Sequence, residues 1–249
     1  MCGRKNSIKW YRYNGRIYYS PIKVFNLNNN SKVALIGGGG KTTTIKDIAL
    51  DYTRRGIGNI IMTTTNILYE NVEYDVQKIK YSLNEGLSVV VGEVILKNGI
   101  KKISKPRDEI YNFLINQNNY PVIVEADGAK CRPIKIQREY EPEIPDNIKD
   151  VILVVGIDSL HGPIKEVFAR PEDVKLNKEF LEIDDFVDIL LSNRGMFKDL
   201  EEKNVTILIN KVDSIELLKE SDLIINKIKK RRKELKVVIS GYVNFMEVV

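Results

Sequence analysis

The residues best suited to chemistry in this 249-residue chain stand in one run, Gly37-Gly38-Gly39-Gly40-Lys41-Thr42-Thr43, directly after the apolar stretch Val33-Ala34-Leu35-Ile36. An apolar strand that turns through glycines into a helix is built to hold phosphate. Glycines let the backbone approach an anion with successive N–H groups pointing inward, and the helix that follows adds its positive N-terminal end. Gly37, Gly38, Gly39 and Gly40 therefore form the expected cradle, with Lys41 reaching the β- and γ-phosphates and the Thr42 hydroxyl completing a magnesium shell beside Thr43. A glycine turn without a ligand is the plainer reading, but four consecutive glycines cost an ordered loop stability.

A second acidic stretch supplies what the first lacks. Val122-Ile123-Val124 reads as a buried strand ending in Glu125-Ala126-Asp127-Gly128. Carboxylates at such a place are expensive unless they coordinate, hydrogen-bond or face solvent. Glu125 and Asp127 are thus candidates both for holding magnesium and for orienting an attacking water, and the sequence does not divide these roles. Thr63, Thr64 and Thr65 follow another short apolar run; Thr64 is a further candidate for the metal, against simple strand-end packing. Downstream, Val205-Thr206-Ile207-Leu208-Ile209 runs into Asn210-Lys211-Val212-Asp213. Asn-Lys-x-Asp at a strand end matches the guanine-recognition motif of GTP-binding proteins, with Asp213 reading the base, Lys211 lying along it and Asn210 tying loops together. Ser240-Gly241 falls where a second base-contacting loop would be. Lys130 and Arg132, just past the carboxylates, are candidates for a bound substrate or for salt-bridged loop packing. Arg170 either contacts phosphate or ties the helix start at Pro171 and Glu172 to the body.

Composition narrows the class. Two cysteines, Cys2 and Cys131, and one histidine, His161, exclude a disulfide framework and a histidine-rich metal site. A net charge of +5 is modest and is concentrated around Lys227 to Lys233, where a solvated helix face accounts for it better than nucleic acid does. No apolar stretch approaches the roughly 20 residues that span a bilayer, and the N-terminus lacks a signal-peptide core. A cytoplasmic, membrane-free protein is the expectation.

The elements that must position these residues alternate strand and helix. Tyr13-Asn14-Gly15-Arg16 turns an aromatic hairpin that caps a sheet edge, residues 26–31 form a linker, and a nucleotide domain spans 32–249. Helices are predicted over 41–55, from Pro106 onward, over 184–191 and over 214–232. Strands are predicted over 59–62, 76–79, 87–92, 151–156 and 237–239, with a second hairpin across Asn98-Gly99. The fold class this describes is three-layer α/β, P-loop NTPase-like, with a mostly parallel sheet, an N-terminal hairpin and an inserted one.

Two resemblances carry the motifs further. The glycine loop lacks the first glycine of the usual P-loop, where Leu35 stands, and its tighter spacing is similar to that of muramyl amino-acid ligases and folylpolyglutamate synthetases. In order, the glycine loop, Thr63-Thr64-Thr65, Glu125 to Lys130, Arg132-Pro133, Glu141-Pro142-Glu143-Ile144-Pro145, Arg170-Pro171-Glu172 and Asn210 to Asp213 resemble the YqeC family over roughly residues 32 to 241. That family is associated with maturation of selenium-dependent molybdenum hydroxylases. The resemblance implies a magnesium- and ATP- or GTP-dependent accessory protein whose partner is a molybdenum hydroxylase or a cofactor carrier. The aromatic hairpin and Ala169, where a histidine is expected, depart from the pattern. An ATP-dependent ligase or kinase, and a nucleotide-gated binding protein with negligible turnover, are the competing readings.

Overall fold

The computed structural model describes residues 7–67, 73, 75–97 and 99–244. In chain order the elements are β1 (Ser7–Tyr13), β2 (Arg16–Tyr18), α1 (Pro21–Phe25), β3 (Lys32–Gly37), α2 (Lys41–Arg54), β4 (Asn59–Thr63), α3 (Val76–Asn84), β5 (Ser88–Val90), β6 (Glu93–Lys97) and β7 (Ile100–Ser104). Then come α4 (Asp108–Asn116), β8 (Val122–Glu125), β9 (Asp150–Gly156), α5 (Ile164–Val167), α6 (Ile183–Leu191), β10 (Asn204–Asn210), α7 (Ile215–Arg231) and β11 (Lys236–Asn244).

Nine strands form one sheet in the order β2-β1-β11-β10-β9-β3-β8-β4-β5. The seven from β11 to β5 are mutually parallel, while β1 runs antiparallel to β11 and β2 to β1. Strand alternation sorts the apolar side chains onto two faces. Val33 and Leu35 of β3 pack with Ile45, Ile48 and Tyr52 of α2 and with Ile22 and Phe25 of α1. Ala34 and Ile36 pack on the opposite side with Leu83, Leu114, Phe186 and Ile224 from α3, α4, α6 and α7. Helices thus cover both faces, which is the three-layer α/β architecture. Among the described residues no helix is long and apolar enough to cross a membrane.

The topology places the glycine loop. From β3 the chain passes to β4 and β5, returns to lay β8 beside β3, and then crosses to β9 on the other flank. The carboxyl ends of β9, β3 and β8 therefore meet where the direction of winding reverses, the usual ligand crevice of an open α/β sheet.

Several elements differ from the sequence reading. Residues 76–79 are the first turn of α3, because the Asp75 carboxylate accepts from the amides of Gln77 (2.8 Å) and Lys78 (3.1 Å), and Ile79 and Leu83 are buried at helical spacing. Ser240 and Gly241 do not form a loop. They continue β11, because β1 offers Tyr11 and Trp10 as their antiparallel partners. The second hairpin exists as the pair β6-β7, separate from the main sheet; Asn98 at its turn lies outside the described residues, as does Cys2.

The N-terminal hairpin is anchored by side chains as well as by β11. Tyr11 is buried edge-on against Phe25, with ring centroids 5.7 Å apart, and Lys9 donates to Asp47 of α2 at 2.7 Å. Truncation of a buried aromatic costs about 3–5 kcal/mol. Tyr11→Ala is therefore expected to lower the urea midpoint of the whole chain in a single transition; a separate early transition of the hairpin, leaving the main one unmoved, would contradict this.

Candidate functional site

The loop between β3 and α2 owes its shape to backbone crowding. Gly39 adopts φ +75°, and a Cβ there would collide with the Gly156 backbone at the end of β9. Gly40 adopts φ +125° and is the N-cap of α2, with no side chain to cap the helix. The amides of the first helical turn have no partner within the helix, an arrangement that favours a bound anion.

Three of the four loop amides are already engaged. Gly37 N–H donates to Asp127 Oδ2 (2.7 Å), Gly38 N–H to the Val154 carbonyl (2.9 Å) and Gly39 N–H to the Arg132 carbonyl (3.0 Å). An anion cradle would therefore be shorter than four glycines suggest, resting on Gly40 and on the start of α2 at Lys41, Thr42 and the exposed Thr43.

Lys41 is buried and points back under the loop. Its ammonium donates to the Gly37 carbonyl at 2.6 Å, lies 3.0 Å from Asp127 Oδ1 at ion-pair distance but off the hydrogen-bond line, and stands 3.8 Å from Glu125 Oε1. The other Glu125 oxygen accepts from the Thr42 hydroxyl at 3.1 Å. Burial disfavours the Lys41 charge, yet Asp127 and then Glu125 more than reverse this and hold its pKa above the ordinary value. Burial pushes the Glu125 carboxyl up, and Lys41 and Thr42 offset only part of that.

Asp127 has a different environment from Glu125, although the two stand only two residues apart. It is fully buried; Gln137 donates to its Oδ2 at 2.7 Å, and the Lys135 ammonium lies 3.3 Å from the same oxygen. Burial alone would raise this carboxyl, but Lys41, Lys135 and the bonds from Gly37 and Gln137 together hold it below the ordinary range. Lys135 in turn donates to Glu141 (2.7 Å) and to the Gly128 carbonyl (3.0 Å), and Glu141 receives the fork of Arg170 at 2.9 and 3.3 Å. A chain of alternating charges thus runs from the loop lysine to Arg170.

The remaining candidates divide. Asn210 donates to the Gly39 carbonyl at 2.8 Å and accepts from the Ser240 hydroxyl at 2.7 Å, so it pins the loop to β10 and β11. Lys211 is paired with Asp158 at 2.6 Å, and one oxygen of Asp213 accepts from the Tyr242 amide at 2.8 Å. The Arg132 guanidinium donates to the Glu166 carbonyl, and Arg170 is held by Glu141, so both sit in loop packing; Lys130 is exposed nearby. Thr63 serves the strand end, donating to the Glu125 carbonyl at 3.0 Å. Thr64 bonds that carbonyl through its own amide (3.1 Å), and its hydroxyl is buried without a partner among the described residues.

A magnesium ion fits what is present. Among the described residues no three acidic, histidine or cysteine side chains converge as a metal cage. Magnesium needs no such cage, because it is held by one or two protein oxygens together with phosphate oxygens and water. Thr42 and Glu125, already in contact at 3.1 Å, would supply that pair. Asp127 has Oδ2 shared by Gly37 and Gln137 and Oδ1 facing Lys41. Lys135, Gln137 and Glu141 are the residues that sequence reasoning did not bring to the site; the spacing of Lys135 and Gln137 by two was the one local hint.

A family model described as YqeC protein matches residues 33–172, more than half of the chain. No curated protein and no solved structure matches.

The buried charge set has a measurable signature. Because Asp127 titrates lower folded than unfolded, its contribution is present above the ordinary carboxyl value of 3.8 and fades as the pH falls through the lowered folded value. Asp127→Asn leaves two buried ammonium groups undercompensated and is expected to cost about 3–5 kcal/mol at pH 7 by urea unfolding. The gap from wild type should narrow below pH 3.8; a difference independent of pH would remove the ionised carboxylate from this account.

Proposed function

The chain belongs to the YqeC family, and from that premise we propose that it binds and hydrolyses a purine nucleoside triphosphate with magnesium, as an accessory protein in the maturation of selenium-dependent molybdenum hydroxylases. The observation that carries the nucleotide reading is the convergence of Lys41, the Thr42 hydroxyl and Glu125 at the uncapped N-terminus of α2. The family resemblance carries the accessory role.

In this reading the β- and γ-phosphates settle on the amides of Gly40, Lys41, Thr42 and Thr43. Lys41 exchanges part of its contact with Asp127 for phosphate oxygens. Asp127 remains compensated as this happens, because Lys135, Gly37 N–H and Gln137 stay on it. Thr42 and Glu125 would hold magnesium, which would supply neutralisation of the phosphate charge. Most of the rate in such chemistry comes from positioning and charge stabilisation, so Lys41 matters more than any one loop amide. Glu125 is the carboxylate left to order a water, since the oxygens of Asp127 face the loop and the two lysines.

Transfer to an acceptor held near Lys130 and Arg132 is the weaker alternative, because the guanidinium groups of Arg132 and Arg170 are already bound to protein oxygens, which leaves only the exposed Lys130 for the acceptor. A nucleotide switch with negligible turnover needs the same binding site and differs only in rate.

Calorimetric titration with ATP and GTP analogues, with and without magnesium, tests the reading. Wild type is expected to bind in a magnesium-dependent way, and Lys41→Ala, confirmed as folded by circular dichroism, about 10- to 100-fold more weakly, the loss of one charge-assisted contact. Binding of neither nucleotide by wild type would sink the proposal. Asp213→Ala separates the base question: if Asp213 reads guanine, the variant loses a GTP preference while its ATP affinity stays unchanged. A preference that survives assigns base selection elsewhere.

A further inference from the structure

The β6-β7 hairpin stands apart from the main sheet, and its two edges differ. On the β7 side, Ile103 exchanges both backbone hydrogen bonds with Ile67, at 2.8 and 2.9 Å. The N–H and C=O of Ile103 therefore point away from β6. Val94 is its register partner, so the pair belongs to the non-hydrogen-bonded set of the antiparallel ladder, and the N–H and C=O of Val94 point out of the opposite edge. With a period of two, those of Leu96 do the same. Among the described residues no strand or bridge pairs with this outer edge of β6.

The same two residues carry exposed apolar side chains: Val94 is 47 % exposed and Leu96 72 %. An edge strand with open hydrogen-bonding groups and bare apolar side chains is a template for another strand. The occupant is indicated by the strand's own sequence, Glu93-Val94-Ile95-Leu96-Lys97, which reads as its own complement about Ile95. Turned antiparallel on a two-fold axis through Ile95, a second copy sets Val94 opposite Leu96 and Glu93 opposite Lys97, twice each. The phase agrees as well, since Val94 and Leu96 are the residues whose backbone groups face outward and would form the hydrogen-bonded pairs.

We propose that the chain self-associates through β6, forming a four-stranded sheet β7-β6-β6-β7 across a two-fold axis at Ile95. Two cross-strand Glu93–Lys97 pairs then fix the register. Glu93 already receives Arg107 at 2.7 Å, but that pair is exposed on both sides and competes weakly. Five residues per strand bury less than the surface typical of permanent dimers, so the association is concentration-dependent.

Sedimentation equilibrium of the full chain, over concentrations from roughly micromolar to millimolar, tests this. Wild type is expected to shift from monomer to dimer across the series. Leu96→Pro removes an outward N–H without touching the hydrogen bonds between β6 and β7, and is expected to stay monomeric with an unchanged urea midpoint. Glu93→Lys alone and Lys97→Glu alone each set like charges opposite one another and should weaken association about ten-fold. An equimolar mixture of the two restores both attractive pairs and should recover the wild-type affinity to within about three-fold. A wild type that remains monomeric throughout, a dimer indifferent to Leu96→Pro, or a mixture that associates no better than its components would each overturn the proposal.

Discussion

The site depends on one buried carboxylate. Asp127 sits beneath the loop with Lys41 on one oxygen and Lys135 on the other, and it also accepts the Gly37 amide. Moving such an ion out of water costs several kcal/mol unless the partners are close and the remaining lone pairs are bonded. Every one of those partners comes from a different place: the loop, the first turn of α2 and the segment after β8. Satisfying this charge therefore forces the three segments into one arrangement.

That arrangement explains why adjacent acidic residues separate in role. Glu125 closes β8 and looks toward Thr42 at the open end of the loop, with a carboxyl raised by burial. Asp127 turns inward and is held ionised by two lysines. The chain of alternating charges from Lys41 through Asp127, Lys135 and Glu141 to Arg170 then joins the glycine loop to the segment at Pro171. On the other flank Asn210 fastens Gly39 to Ser240. The loop is thus braced from β8, β9, β10 and β11.

Much of this was legible along the chain wherever the signal was local. The apolar run, the glycines and the helical spacing of Ile45, Ile48 and Tyr52 lie within twenty-one residues and specify β3, the loop and α2. The acidic end of β8 was equally plain. Val76 to Ile79 misled because four residues do not separate a strand from a helical turn; the deciding contact is the Asp75 cap. Ser240-Gly241 misled because a strand's end depends on its neighbour, and β1 lies more than two hundred residues earlier. The guanine-type motif placed Asn210 against the loop, yet Lys211 and Asp213 face Asp158 and the Tyr242 amide, contacts no four-residue pattern contains.

The sequence by itself determined which groups were available: a lysine and a threonine at a helix start, glycines where backbones cross, and two carboxylates at the end of a buried strand. Such features are properties of neighbouring residues, and short-range sterics and periodicity suffice to set them. Only the tertiary structure decided which carboxylate meets Thr42 and which lies under Lys41, which loop amides are left for a ligand, and that Lys135, Gln137 and Glu141 belong to the site. Those outcomes are distances between groups far apart in the chain, and they exist only once β9 and β8 have closed on either side of β3.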